Sequence, residues 1–325
     1  MLSIRVYPVA FESLGVRSMC TYIETKDVKI LLDAGVSLGP NRFGLPPHPR
    51  EYEALKERRN IILEMTDKVD IVTVSHYHLD HYTPSYTDWA NTWSSAEVAE
   101  RIYKGKIVFA KSYKTMINAS QRKRGWMFAR TSSRQAAKLE FADGRSFKFG
   151  DTSIRFSPPV SHGNEGTELG WVLTVIIEYG NDRVLFAPDI QGPISARTVN
   201  MILDEKPKLL IIGGPPTYLV DLREDGERME VAVKNLAALV RKTPITILDH
   251  HILRDEAWRD KMKPAFDAAE RMGNKILTAA EYLGEKNRLL EACRRNLYED
   301  EPPSREFIEW TRMQPSERRV IEPPI

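Results

Sequence analysis

VSHYHLDHYTP, from Val74 to Pro84, holds three of the chain's seven histidines and an aspartate within six positions. It follows VDIVTVS (Val69–Ser75), an almost uninterrupted apolar run that predicts a strand buried on both faces. His76, His78, Asp80 and His81 form the pattern H-x-H-x-D-H. Imidazoles and carboxylates are zinc ligands. In an extended stretch, residues two apart point the same way. His76 and His78 can therefore grip one ion, and the turn beyond them lets Asp80 and His81 face a second. Two ions about 3.5–4 Å apart need further ligands and a shared bridge.

Those ligands must come from elsewhere in the chain. His162 follows TSIRFSPPVS, and His250 and His251 close PITILD. Asp189 ends RVLFAPD and Asp33 ends VKILLD. Strand ends opening into loops are where a rigid scaffold places chemistry. Adjacent residues on a strand end point to opposite sides, so one of His250 and His251 is expected to bind, with His250 preferred. His48, among prolines in LPPHPRE, is expected to be a loop residue.

Working outward, the first third alternates short β-type runs: IRVYPVAF, MCTYIET and VKILLDAG. REYEALKERRNIILEMT (Arg50–Thr66) has helical spacing, with Tyr52, Leu55, Ile62 and Met65 as buried positions. Further strands are expected in RSFKFG, TSIRFSP, GWVLTVIIEYG and DRVLFAPD, then strands alternating with helices through PITILDH. Helices are expected over Glu256–Met272 and Ala279–Asn296. Two strand-rich blocks, each followed by helices, predict two sheets packed face to face with helices outside. Residues 1–300 are expected to form one catalytic domain. Residues 301–325, rich in Pro and charge, form a C-terminal extension that grips through Phe307, Ile308 and Trp310.

The 325 residues, 42% hydrophobic, suffice for a large core. No apolar run approaches the ~18–20 residues of a membrane span, and the first residues lack the apolar core of a signal peptide. Two cysteines, Cys20 and Cys293, make no disulfide framework. A cytoplasmic protein is expected. Only four glutamines beside 28% charged residues hint at a hot habitat. Net charge is +2, but eleven Lys or Arg and no Asp or Glu lie between Arg101 and Lys138. That leaves 36 of the 47 basic residues against 45 acidic ones elsewhere. Such asymmetry predicts one face that attracts anions. SQRKRGWMFARTSSR (Ser120–Arg134), read as a basic loop, places Arg122 and Arg124 near Trp126 and Phe128. Arginine forks suit phosphate, and an aromatic can stack on a base. GGPPTY (Gly213–Tyr218) follows a strand, so Tyr218 is a candidate substrate contact.

Together these residues resemble the metallo-β-lactamase superfamily. Asp33 matches its first motif, H-x-H-x-D-H the second, His162 the third, Asp189 the fourth and His250 or His251 the fifth. SLGVRSMCTYIET, GVSLGPNRFGLPPH, SHYHLDH, QGPIS, GGPPTYL and LDHHILRD resemble a mainly archaeal branch of predicted metal-dependent hydrolases. The resemblance implies a four-layer αββα sandwich of mixed α/β class. It implies two divalent ions, zinc first, with manganese or iron as alternatives. His76, His78 and His162 would hold one ion; Asp80, His81 and the fifth-motif histidine the other; Asp189 would bridge them.

Asp33 and Asp80 are then the residues expected to serve the chemistry, Asp33 by support and Asp80 by orienting a metal-bridging hydroxide. The leading expectation is a dinuclear hydrolase acting on a phosphoester, either a nucleotide or a nucleic acid. A carboxylic ester, thioester or lactone hydrolase needs no cluster of eleven cations. A mononuclear iron dioxygenase can use a similar histidine set. A non-catalytic scaffold would tend to lose ligands, and this chain has all of them. No membrane partner is expected, and a homo-oligomer is compatible with the sequence.

Overall fold

Short apolar runs bounded by turn residues become strands here because each can bury alternate side chains on two faces. A computed structural model describes residues 2–166, 168–219 and 223–325, the side chains of 223–225 excepted. The first sheet holds β1 (Arg5–Phe11), β2 (Met19–Glu24), β3 (Lys29–Leu32), β4 (Ile71–Val74), β5 (Ile107–Ala110) and β6 (Lys138–Phe141), in that spatial order. β7 (Ser146–Phe149) and β8 (Thr152–Phe156) open the second sheet. A two-stranded ribbon, β9 (Val160–Ser161) with β10 (Trp171–Val172), leads back to β11 (Val175–Tyr179). β12 (Asp182–Ala187), β13 (Leu209–Gly213), β14 (Ile245–Asp249) and β15 (Lys275–Leu277) complete it, in the spatial order β7-β8-β11-β12-β13-β14-β15.

The two sheets share one plan. In the first, β1, β2 and β3 pair antiparallel, then β3 through β6 run parallel. In the second, β7, β8, β11 and β12 pair antiparallel, then β12 through β15 run parallel. Parallel neighbours need helical crossovers. α1 (Pro49–Thr66), α2 (Ala96–Tyr103) and α3 (Ala119–Arg130) provide them in the first half. α4 (Ala196–Glu205), α5 (Arg223–Val240) and the helices Trp258–Lys261 and Lys263–Glu270 do so in the second.

Side-chain alternation builds the layers. Ile30, Leu32, Ile71 and Phe109 of the first sheet meet Val184, Phe186, Leu209, Ile211 and Ile247 of the second in one core. Leu31, Val72, Val74 and Val108 point the other way, onto Tyr52, Leu55 and Ile62 of α1 and Ala99 and Ile102 of α2. Leu185, Leu210, Ile212 and Leu248 face Val199 and Ile202 of α4 and Leu236 and Val240 of α5. The result is the four-layer αββα sandwich.

Some expectations need correction. The Ser120–Arg134 segment is not a loop; most of it is α3, started by Asn118, whose side chain accepts from Gln121 N. The Glu256–Met272 helix breaks at Met262. Ala279–Asn296 is not one helix: it stops at Tyr282, just before Gly284 at φ 77°, and resumes at Arg294. GWVLTVIIEYG splits into β10 and β11. β5 lies inside the basic segment and β6 starts at its last residue; charged neighbours hide both in the sequence. His48 is a loop residue, as expected, and caps α1: Arg50 N donates to its Nδ1 at 3.2 Å, and its Nε2 lies 2.8 Å from Glu301 O. The extension packs on its own chain, with Phe307 and Trp310 buried edge-on against Tyr52.

Candidate metal centre

Asp33, His76, Asp189 and His250 each lie within two residues of the carboxyl end of a strand in the parallel halves, β3, β4, β12 and β14. His162 follows the ribbon strand β9. Carboxyl ends of parallel strands bring loops from separate parts of the chain to one rim. Gly35 lets two of these loops touch: a Cβ there would lie 2.2 Å from Tyr82 N, so no other residue fits between them. Buried Arg59 locks the same junction by donating to Thr83 Oγ1 at 2.7 Å and to Thr92 O at 2.8 Å.

Asp189 stands at the middle of the cluster. Its Oδ2 lies 3.2 Å from His76 Nε2, 2.9 Å from His162 Nε2, 3.3 Å from His81 Nε2 and 3.7 Å from His78 Nδ1. Its Oδ1 lies 3.0 Å from His250 Nε2 and 4.0 Å from His251 Nε2. His250 Nε2 is also 3.5 Å from Asp80 Oδ2. Ligand-type atoms therefore fall into sets, His76–His78–His162–Asp189 and Asp80–His81–His250, with Asp189 reaching both. Asp33, Asp189 and His250 hold left-handed backbone at φ 49°, 45° and 69°. Such a conformation costs a non-glycine residue about 1–3 kcal/mol and persists where the surroundings over-determine it.

The donor set fits metal ions. His81 Nε2, His250 Nε2 and Asp189 Oδ1 are buried and have no hydrogen-bond partner among the described residues. A buried polar atom left unpaired costs about 1–3 kcal/mol, and three converging here call for a cation. The outer ring nitrogens of His81 and His76 are already engaged, as metal-ligating histidines require, whereas His162 Nδ1 has no hydrogen-bond partner among the described residues. His81 Nδ1 bonds Asp33 Oδ2 at 2.8 Å. Asp33 in turn accepts from Ser75 N at 2.8 Å and from Ser75 Oγ. His76 Nδ1 lies 3.0 Å from Ser75 Oγ, and His250 Nδ1 faces Glu12 Oε2 at 3.1 Å.

Charge follows the same pattern. Burial, followed by neighbouring histidine charge, holds the His76 imidazole well below its usual range, and burial lowers His78 and His251. At His81 and His250 burial acts the same way but is outweighed by Asp189, so both are raised. Burial disfavours the Asp80 and Asp189 carboxylates, yet His81 and His250 overcome it and hold both groups low. The cluster is thus built around ionised carboxylates.

The expected residues do not all converge. His251 does not point away from His250; the rings stack with centroids 4.4 Å apart. β14 ends at Asp249, and the two histidines open a 3-10 turn, so strand alternation no longer applies. His250 groups with Asp80 and His81, whereas His251 groups only with Asp189 and His250. Asp33 is fully buried behind His81 and positions that ring; it does not face the open side. Arg124 donates to Tyr77 O at 2.7 Å and to Ser120 Oγ, so its guanidinium holds protein rather than substrate. Arg122 is exposed on α3. Tyr218 OH lies 3.5 Å from Arg254 Nη1, and Arg42 sits over its ring at 4.6 Å.

Two positioning residues were missed. Glu12 directly follows β1, the same strand-end signal that picked out Asp33. It accepts from Arg254 Nε at 2.9 Å and Nη2 at 3.2 Å while facing His250. Gln121, with no signal in the sequence, places Nε2 3.4 Å from His78 Nε2.

No family model matches the chain. A UPF0282 protein of Pyrobaculum islandicum is 45% identical over 91% of this chain and 94% of its own length. One of Methanopyrus kandleri is 43% identical over 91% of this chain and all of its own. Among solved structures, unliganded yeast PDE1 covers 86% of this chain and 98% of its own at 12% identity and TM-score 0.49. Tm1679, a metal-dependent hydrolase of the β-lactamase superfamily, covers 85% and 95% at 13% identity and TM-score 0.45. Identity above 40% along nine-tenths of the chain decides its kinship: it belongs to the UPF0282 family.

Proposed function

We propose that the chain is a two-metal hydrolase that cleaves a phosphoester. The unpaired, buried atoms His81 Nε2, His250 Nε2 and Asp189 Oδ1 carry this reading. His76, His78, His162 and Asp189 would hold one divalent ion, zinc first and manganese or iron as alternatives; Asp80, His81, His250 and Asp189 would hold the other. Bound there, two such ions supply a Lewis acid and a water that loses its proton near neutral pH.

The chain's own groups do the rest. Asp33 and Glu12 aim the rings of His81 and His250 inward. Asp80, with 14% of its side chain exposed, is placed to orient an entering water. Beside the centre, Asn164 and Gln191, each two residues beyond a ligand, help line a cavity of about 200 Å³ with Pro215, Pro216 and Met229. It would receive the body of the substrate. A phosphoester is favoured over a carboxylic ester by the uncompensated cations of the nearby α3.

Protein purified without chelator is expected to carry about two divalent ions per chain and to hydrolyse bis-p-nitrophenyl phosphate, with the activity lost in His78→Ala. Cleavage of p-nitrophenyl acetate alone would favour the carboxylic ester reading. A single iron with neither substrate cut would overturn hydrolysis and point to oxidation chemistry.

A further inference from the structure

We propose that the solvent face of α3 is a binding track for single-stranded nucleic acid leading to the metal centre, an inference that rests on the phosphoester reading above. α3 is two-faced. Gln121, Gly125 and Phe128, at i, i+4 and i+7, are buried. Gly125 is required because a Cβ there would lie 2.5 Å from the Tyr77 ring. Arg122, Trp126 and Arg130, at i, i+4 and i+8, form the opposite row with Lys123 beside it, all exposed.

The cations of this region divide sharply. Arg101, Lys104, Lys111 and Lys138 pair with Asp67, Glu100, Asp143 and Glu140. Lys106 and Arg124 are spent on backbone carbonyls. Lys114, Arg122, Lys123, Arg130 and Arg134 remain exposed with no carboxylate partner among the described residues. Like charges gathered on α3 and at its two ends repel each other and attract a polyanion.

The aromatic side chain chooses among polyanions. Trp126 is 46% exposed, with the Arg130 guanidinium 4.8 Å from its ring centre. Tyr113, Lys114, Ala119, Arg122, Lys123 and Trp126 line one shallow depression. A large aromatic among cations is what an unpaired base stacks on; the bases of a duplex are shielded from it. The row from Arg122 to Arg130 runs about 12 Å along the helix, longer than the spacing between successive phosphates.

The track also adjoins the chemistry. Gln121, one residue before Arg122, lies 3.4 Å from His78. Asn118 and Gln121 donate to the carbonyls of Glu168 and Leu169, in the segment that follows His162.

Fluorescence anisotropy of labelled 12-mers with cleavage-resistant phosphorothioate links tests this on the purified full chain. Oligouridylate or oligothymidylate is expected to bind with an affinity that falls steeply as salt rises. Arg122→Ser/Lys123→Ser/Arg130→Ser should weaken binding at least about tenfold and flatten the logarithmic salt slope by about 2. Trp126→Ala should weaken it about fivefold or more. Both variants should keep wild-type metal content and melting temperature. Absence of salt-sensitive binding, equal binding by both variants, or a 12-base-pair duplex bound as tightly as the single strands would overturn the track. If the single strands bind as expected but wild-type protein cuts no phosphodiester, the hydrolase reading falls and the track stands. The reverse result removes the track alone.

Discussion

The two sheets supply the metal centre in opposite ways. The first concentrates its share: His76, His78, Asp80 and His81 lie in six residues after β4, held by the neighbouring Asp33–Ser75 hydrogen bonds. The second disperses its share: His162, Asp189 and His250 come from three strand ends spread over 89 positions, two of them with left-handed backbone. Behind His250 lie two arginine–glutamate ion pairs. Arg254 grips Glu12, and Arg17 grips Glu291 with bonds of 2.7 and 2.6 Å. A compact motif can be built from local turns, whereas a dispersed one depends on the packing that brings distant strands into register.

Asp189 is where the two contributions meet, so its loss is expected to have the largest effect. Asp189→Ala should leave less than one metal per chain by elemental analysis and cut phosphodiester hydrolysis by at least about 10³-fold, the several kcal/mol such ions contribute. Retention of both metals would show that the two shares are independent. Next come His78→Ala and His250→Ala, each expected to retain about one metal per chain and lose about 10²–10³-fold in rate. Loss of both metals from either variant would mean that the sites fill only together.

Acid should separate the two supports. Burial disfavours the Glu291 carboxylate, but the Arg17 hydrogen bonds prevail and lower it from 4.5 to about 2. A depressed folded-state value means stability that is full above about pH 4.5 and is lost as pH falls toward 2. Between pH 6 and pH 2.5, urea midpoints should show wild type losing up to ~3 kcal/mol that Glu291→Gln does not lose. Equal losses would remove this ion pair from the support of the dispersed half. The smallest effect is expected from Glu12→Gln, which weakens the hold on His250 without removing a ligand. Chelator competition should show metal affinity reduced about 10–100-fold for one of the two ions. An unchanged affinity would leave Arg254, not Glu12, as the residue that orients the turn.

The chain by itself determined the compact half. H-x-H-x-D-H after a buried strand was legible because four ligand identities sit at fixed local spacing, and local geometry decides which way they point. Short β-type runs separated by turn residues announced most strands, and with them the two facing sheets. Strand-end placement marked His162, Asp189 and one of two adjacent histidines, but as separate residues without distances. Only the tertiary structure decided the remainder. It put both oxygens of Asp189 between the two sets, and chose His250 over His251 for the Asp80–His81 set through a 3-10 turn that strand periodicity does not foresee. It turned a basic loop into a helix, with Arg124 committed to Tyr77 and Arg122 left exposed. It also brought Glu12 to His250 across 238 positions. The physical reason is one of range: periodicity and ligand spacing act over a few residues, while hydrogen-bond and ion-pair partners far apart in sequence are chosen by how the sheets pack.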